Sequence, residues 1–268
     1  MEHHPTLIGK LFNQLFGPLV LPLLQALGIH VHDPHSPIPD HIATEIFIVL
    51  VGVVFFLWFR RQLSVENPGG LQLCFEQFLS NSFRVGLYDL LDEIVGHGGR
   101  KHLAVVGTIG LFVLLSNLIS LIPVFASPTA NHTVPLGLAM AVFAYYNLAG
   151  IRAHGALGYG KHFLGPILPM APLMLPIELI SNAARLLSLT VRLWVNMVVS
   201  ELLYLTFLGL GVLWMLAGGV FNAIAGTVLA FTAPLIFIGL HLFVAFLQAF
   251  VFTLLPIVYL GGAVAEEH

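Results

Sequence analysis

The sequence contains few charged residues. Lys, Arg, Asp and Glu make up 9% of its 268 residues, whereas hydrophobic residues make up 58%. The mean hydropathy is +0.95. Ordinary soluble domains contain about 25% charged residues, so this composition excludes that class. Several apolar runs of about 20 residues indicate instead a polytopic helical membrane protein.

Cysteine is nearly absent as well. Cys74 is the single cysteine, which excludes an internal disulfide and a thiolate metal site. The net charge of −3 and the lack of a basic cluster argue against a nucleic-acid partner. No cofactor and no metal are predicted. A histidine-rich stretch could bind a metal, but its spacing matches no standard site, so a solvated loop is the preferred interpretation; it contains His30, His32, Asp33, His35 and His41.

The hydrophobic pattern predicts an all-α fold with about five membrane-crossing helices. The predicted spans are residues 42–60, 104–125, 134–151, 169–210 and 224–260. The last two are longer than a crossing requires, which predicts a long, tilted C-terminal helical hairpin. Residues 71–95 alternate apolar and charged positions, as in an amphipathic helix on the cytoplasmic interface. Residues 1–41 are expected to be a separate periplasmic or interfacial segment, and residues 42–268 a single membrane domain.

Positive residues predict the orientation in the membrane. Arg60 and Arg61 follow the first span, and Arg152 and Lys161 follow the third. Lys and Arg are enriched on the cytoplasmic side of membrane proteins. Five crossings then place the N-terminus in the periplasm and the C-terminus in the cytoplasm of a cell with a bacterial inner membrane.

The apolar stretch 175–207 contains four ionisable residues. Glu178, Arg185 and Arg192 recur every seventh position, so they lie nearly in line on one helix face, with Asn182, Ser188 and Asn196 close to it. Glu201 lies on the opposite face. Side chains on a helix meet three or four positions apart, so these charges do not neutralise one another. Charges in a membrane span are costly and by default indicate function.

The last span adds His241 and Gln248, which are seven positions apart and share a face. Glu and His can take up and release protons near physiological pH when their surroundings shift them, whereas Arg stays protonated. A permanent cation beside proton-exchanging groups can force a passing carboxylic acid to lose its proton and can block a direct leak. These are the tasks of the stator in a rotary ion motor.

The motif SLTVRLWVNMVVSELL, residues 188–203, resembles the signature around the stator arginine of subunit a of bacterial F-type ATP synthases. HLFVAFLQAFVFTLLPIVYL, residues 241–260, resembles the second signature of that family, and SNLISLIP, residues 116–123, a weaker third. The resemblance covers roughly residues 40–268. Arg192 matches the stator arginine, and Asn196, Glu201, His241 and Gln248 match the polar positions of the family.

The resemblance implies a noncatalytic membrane subunit with two offset proton half-channels, in which Arg192 separates the channels and drives deprotonation of the ring carboxylate. The residues implied in proton translocation are Arg192, Glu201, His241, Gln248 and Asn196. The cytoplasmic half-channel would contain Glu178, Ser181, Asn182 and Ser188, and further candidates are Arg185, Asn117 and Ser200. Implied partners are the ring of c subunits, the subunit b stalk, the other ATP synthase subunits, membrane lipid and protons.

Some positions depart from the family pattern. Ser200 precedes Glu201 where a glycine or a histidine is common, and Trp194 and Val195 replace a commoner Phe-Gly pair. Arg185 stands where many members have lysine. Two other classes remain open from the residues alone: an ion-coupled secondary transporter, against which no inverted repeat is visible, and a membrane scaffold, which leaves the line of charges unexplained.

Overall fold

The computed structural model describes residues 6–26, 36–80, 86–96, 98–122, 125, 127–162 and 171–264. The helices in these ranges are α1 (Leu7–Ala26), α2 (Asp40–Gln62), α3 (Gly70–Leu79), α4 (Leu87–Ile94), α5 (Leu103–Ile119), α6 (Thr133–His162), α7 (Ala171–Leu216) and α8 (Val220–Val264). The all-α polytopic fold is therefore confirmed. By length and apolarity six of the described helices could cross a membrane, namely the five predicted segments and α1.

Helices α7 and α8 are the longest elements, with 46 and 45 residues. At about 1.5 Å per residue each spans about 70 Å, more than twice the roughly 30 Å hydrocarbon core of a bilayer. One perpendicular crossing therefore does not account for their length. This agrees with the predicted C-terminal hairpin.

Two glycines make the turn of this hairpin. Gly218 and Gly219 both have φ near +83°, a backbone region that glycine enters without steric cost. The turn is thus narrower than the gap between the predicted spans 169–210 and 224–260: Gly209, at the end of the first span, and Gly211, in the gap, continue the helix. Both of these lie inside α7. A Cβ on Gly211 would lie 2.6 Å from the backbone of Ala230, so this glycine permits close approach of α7 and α8 near the turn.

Residues 71–95 form two helices where one was predicted. Helix α3 ends at Leu79 and is followed by Ser80, whose backbone is extended. Gly86 packs so closely on the backbone of Leu79 that a Cβ would lie 2.6 Å from the Leu79 carbonyl oxygen. The start of α4 therefore lies against the end of α3. Helix α4 is amphipathic as predicted, because it buries Leu87 and Leu91 and exposes Asp92.

The third span also differs from the prediction. Helix α6 extends to His162 with a sharp break at Gly155, where φ is 75° and ψ is 162°. Beyond the break the chain returns along the helix, so that a Cβ on Gly150 would lie 2.3 Å from the ring of Tyr159. The predicted third span ends at residue 151, before Arg152 and Lys161.

Residue contacts divide the chain into two units. The first contains Met1–Trp58, Leu114–Asn131 and Val195–Phe246, and the second contains Phe59–Val113, His132–Trp194 and Leu247–His268. In the first unit Asn13 of α1 donates to the carbonyl of Ile38 at 2.9 Å and accepts from its N–H at 2.8 Å. These two hydrogen bonds attach α1 to the segment before α2. The second unit has an apolar core that includes Leu91, Val106, Val142, Leu189, Leu193, Phe252, Ile257 and Leu260.

The close approach at Gly211 leads to a test by substitution. Gly211→Ala places a methyl group against the Ala230 backbone, and overpacking of this kind costs about 1–3 kcal/mol of unfolding free energy. Gly209→Ala is the matched control, since nothing lies within 4 Å of its Cβ position, and the helix propensity of alanine favours it by up to about 1 kcal/mol. Thermal unfolding of the purified subunit in detergent should show a lower midpoint for Gly211→Ala alone. Equal midpoints would contradict the contact.

Candidate functional site

Arg192 lies on the exposed surface of α7 in the second unit. Within the described residues its guanidinium makes one hydrogen bond, from Nη2 to Ser188 Oγ one turn earlier, at 3.4 Å. Among the described residues the one ion pair joins Arg100 to Asp92, so no carboxylate of the described chain compensates Arg192. The predicted lack of self-neutralisation along α7 is therefore confirmed for Glu178, Arg185, Arg192 and Glu201.

Gln248 fixes α8 against α7 at the position of Arg192. Its Nε2 donates to the backbone carbonyl of Arg192 at 3.0 Å, and its side chain is 1% exposed. The other end of the amide, Oε1, is buried without a hydrogen-bond partner. Gln248 therefore holds the backbone of the arginine but leaves its charge uncompensated.

Asn182 is the centre of a buried polar network that connects α7 to α6. Tyr146 Oη donates to Asn182 Oδ1, and Asn182 Nδ2 lies 3.5 Å from Asn147 Oδ1. Tyr159, which follows the break in α6, donates to the same Asn147 oxygen at 2.9 Å. This network satisfies polar groups that would otherwise be costly in an apolar layer, and it anchors the returning end of α6.

Arg185 contacts an aromatic ring and, among the described residues, no carboxylate. Its guanidinium carbon lies 5.2 Å from the centre of the Tyr259 ring, a cation–π geometry. Tyr259 in turn packs on Tyr146, with ring centres 5.6 Å apart. Glu178 and Ser181 lie on the same helix, half-buried and exposed respectively. The predicted cytoplasmic group therefore lies in the second unit together with Arg192.

In the first unit His241 of α8 is bound by the end of α5. His241 Nε2 lies 3.2 Å from the carbonyl oxygen of Asn117 and 3.1 Å from Ser120 Oγ. A carbonyl only accepts, so this contact needs a hydrogen on Nε2 and leaves Nδ1 as the basic atom of the neutral ring. Asn117 Oδ1 accepts from Thr129 Oγ1 at 3.0 Å. The group can therefore hold His241 in the tautomer that takes up a proton at Nδ1.

Asn196, Ser200 and Glu201 follow in the first unit. Ser200 Oγ donates to the carbonyl of Asn196 at 2.8 Å, so its hydroxyl is used within its own helix. The Glu201 side chain is exposed and makes no hydrogen bond or ion pair within the described ranges. An unpaired carboxylate on a membrane helix can exchange protons with water or with a partner.

Sequence reasoning missed four polar partners, namely Ser120, Tyr146, Asn147 and Tyr159. Ser120 could have been found, because it lies three positions after Asn117 in the quoted motif SNLISLIP. The other three lie on α6, and sequence spacing does not show which of its faces meets α7. Within the described part of the chain no group of His, Cys, Asp and Glu could hold a metal ion. His30, His32, Asp33 and His35 lie outside the described residues.

The fold and these groups define a class: a multi-pass helical membrane protein with ionisable side chains and, among the described residues, an arginine without a carboxylate partner in its long C-terminal helices. Residues 42–261 match the family model described as ATP synthase A chain. The chain is 42% identical over 232 residues to ATP synthase subunit a of Solibacter usitatus, covering 87% of this chain and 90% of the relative. It is 37% identical to the subunit a of Koribacter versatilis over the full length of both.

A third relative, ATP synthase subunit a 1 of Syntrophotalea carbinolica, is 41% identical over 99% of both chains. The chain therefore belongs to the ATP synthase subunit a family. It is a subunit of the membrane sector of an F-type ATP synthase.

The buried network around Asn182 can be tested by stability. Asn182→Ala leaves the buried hydroxyl of Tyr146 without its partner, which costs about 1–3 kcal/mol of unfolding free energy. Ser181→Ala is the neighbouring control, because Ser181 is exposed and makes no hydrogen bond within the described ranges. Denaturant unfolding of the purified subunit in detergent measures both variants. A loss as large in Ser181→Ala as in Asn182→Ala would argue against the network.

Proposed function

We propose that this chain is the noncatalytic, proton-translocating stator subunit that faces a rotating ring of c subunits. One observation carries the proposal: Arg192 is exposed on an apolar helix, and no described carboxylate compensates its charge. Its neighbours on α7 include Leu187 and Val191, which are 66% and 42% exposed. A permanent cation on an apolar surface is costly in hydrocarbon. A partner that brings a carboxylate to this surface removes that cost, and the carboxylate of a ring subunit has the required chemistry.

In this proposal the arginine also directs the proton. A protonated ring carboxylic acid that approaches Arg192 becomes more acidic, because a nearby cation stabilises its ionised form. The released proton leaves, and the carboxylate continues past the arginine. Since Arg192 itself does not release its proton, it separates two proton pathways without joining them.

Two groups of residues supply these pathways. We assign Asn117, Asn196, Glu201 and His241 of the first unit to an outer half-channel, with Gln248 beside Arg192 at its end. Glu178, Ser181, Asn182 and Ser188 of the second unit are assigned to an inner half-channel, and Arg185 and Ser200 are supporting residues. The support is that each group contains polar side chains in otherwise apolar helices, and that Glu201 and the His241 ring can exchange protons.

The membrane potential supplies about 2.3 kcal/mol per charge for each 100 mV. One proton therefore falls far short of the free energy needed to make ATP, so several ring carboxylates must pass Arg192 for each ATP. The chain contains no Walker motif, which fits a noncatalytic subunit that couples proton flow to synthesis elsewhere in the complex.

We place the chain in a bacterial inner membrane with its N-terminus in the periplasm and its C-terminus in the cytoplasm. Arg60 and Arg61 at the end of α2, together with Arg152, support this orientation. Helix α1, which contains Pro18 and Pro22, then lies at the outer interface. The subunit b stalk would bind the same membrane sector from the side.

A secondary transporter fits the helices less well. Its substrate sites are typically built from discontinuous helices near the membrane midplane, whereas α7 and α8 are continuous over Ala171–Leu216 and Val220–Val264.

The decisive substitution is Arg192→Ala, studied by ATP-driven proton pumping in inverted membrane vesicles. Loss of the permanent cation should abolish pumping while the complex still assembles, because the guanidinium makes one long hydrogen bond in the chain. Arg61→Ala is a suitable control, since it removes an exposed cation from the end of α2. Vesicles with equal amounts of complex are compared. Parental pumping by Arg192→Ala would refute the stator mechanism.

A further inference from the structure

Glu45 is a carboxylate in a membrane helix that the mechanism above does not use. It lies in the second turn of α2, within a predicted span. Its side chain is half-buried, and its Oε1 is completely buried without a hydrogen-bond partner. No described side chain forms an ion pair with it. Such a group is costly in an apolar layer, and ionisable groups of this kind serve by default in ion pathways.

Asp40 of the same helix provides a contrast. One of its oxygens accepts from the backbone N–H of Thr6 at 2.7 Å, so it has a structural task at the start of α2. Glu45 has no comparable contact. A structural role within the chain therefore explains Asp40 and does not explain Glu45.

The residues around Glu45 belong to the first unit, and their contacts connect α2 to the group around His241. His41, one turn before Glu45 on α2, lies with its ring nitrogens 3.3 and 3.4 Å from Asn131 Nδ2. The rings of Phe47 and Phe125 are 5.7 Å apart. Helix α2 thus packs on both sides of Glu45 against the segment between α5 and α6.

This segment is in turn bonded to the histidine group. Thr129 donates to Asn117, and the carbonyl of Asn117 contacts His241 Nε2. Two further oxygens along this route, Ser116 Oγ and Ser127 Oγ, are buried without partners. Buried polar groups of this kind are usually satisfied by ordered water. The first unit therefore contains a series of hydroxyl, amide and carboxyl groups between α2 and α8.

We propose that Glu45 is a proton-relay residue at the entrance of the outer half-channel, with His41 beside it. This inference rests on the function proposed above and adds a carboxylate that its motifs do not contain. The Glu45 carboxylate takes a proton from a hydronium ion and becomes a carboxylic acid, with release of water. It then gives the proton through bound water to the basic nitrogen of His241 and returns to the carboxylate.

The test compares Glu45→Gln and Glu45→Asp in assembled complexes. Passive proton conduction is measured in vesicles from which the catalytic sector has been removed, driven by a potassium diffusion potential. Glu45→Gln cannot carry the proton and should reduce conduction about tenfold, somewhat below the 100-fold or larger contribution of positioned acid–base groups in enzymes. Glu45→Asp keeps the carboxylate and should restore most of the conduction. A packing role would not distinguish them in this way, because Gln is closer to Glu in size.

Glu66→Gln is the matched control, since Glu66 is an exposed carboxylate in the segment after α2. It should conduct like the parent. Parental conduction by Glu45→Gln overturns the inference, and so does conduction by Glu45→Asp that is no better than that of Glu45→Gln. If the complex with Glu45→Gln does not assemble, His41→Gln is tested in its place. Reduced conduction by this variant is expected, and parental conduction would contradict the inference.

The two proposals fail separately. Loss of coupled pumping in Arg192→Ala together with parental conduction in Glu45→Gln would remove Glu45 from the pathway and leave the stator function standing. Normal pumping in Arg192→Ala would remove the stator function itself, whatever Glu45 does.

Discussion

The cost of a polar group in an apolar layer is the constraint on which this structure depends. Most polar side chains of the long helices are bonded within the chain: Asn182 to Tyr146, Asn117 to Thr129, and Gln248 to the carbonyl of Arg192. Arg192, Glu201 and Glu45 are among the ionisable groups that have no charge partner within the described residues. A polar group that is bonded within the chain has a structural role. Arg192, Glu201 and Glu45 lack a charge partner, so they are candidates for interaction with water or with a partner subunit.

Backbone packing supports this arrangement at glycines. Gly211 and Gly226 bring α7 and α8 together near their turn, where a Cβ on Gly226 would lie 2.4 Å from the backbone nitrogen of Met215. Lipid gives no hydrophobic force between membrane helices, so close van der Waals contact and interhelical hydrogen bonds must hold them together. The glycines supply the close contact. In the other unit, the hydrogen bond from Gln248 to the carbonyl of Arg192 supplies an interhelical hydrogen bond.

The sequence predicted what depends on spacing along one chain segment. The seven-residue recurrence of Glu178, Arg185 and Arg192 predicted that they share a helix face. The lengths of the last two apolar stretches predicted the hairpin of α7 and α8. It did not predict what depends on contact between segments, such as the partners of Asn182 on α6, because the rotation of one helix against another is set by packing. The return of the chain at Gly155 and the break between α3 and α4 were missed for a related reason: both depend on glycine contacts that carry no periodic signal.

The neutrality of Gln248 follows from the same physical logic. A carboxylate at this buried position could not donate to the backbone carbonyl of Arg192, and burying its charge without a partner would be costly. An amide instead binds the backbone carbonyl and leaves the cation whole, while Glu201 stands nine positions along α7, beyond the three or four at which helical side chains meet. The chain thus fixes the position of the arginine without neutralising it, as the proposed stator role requires.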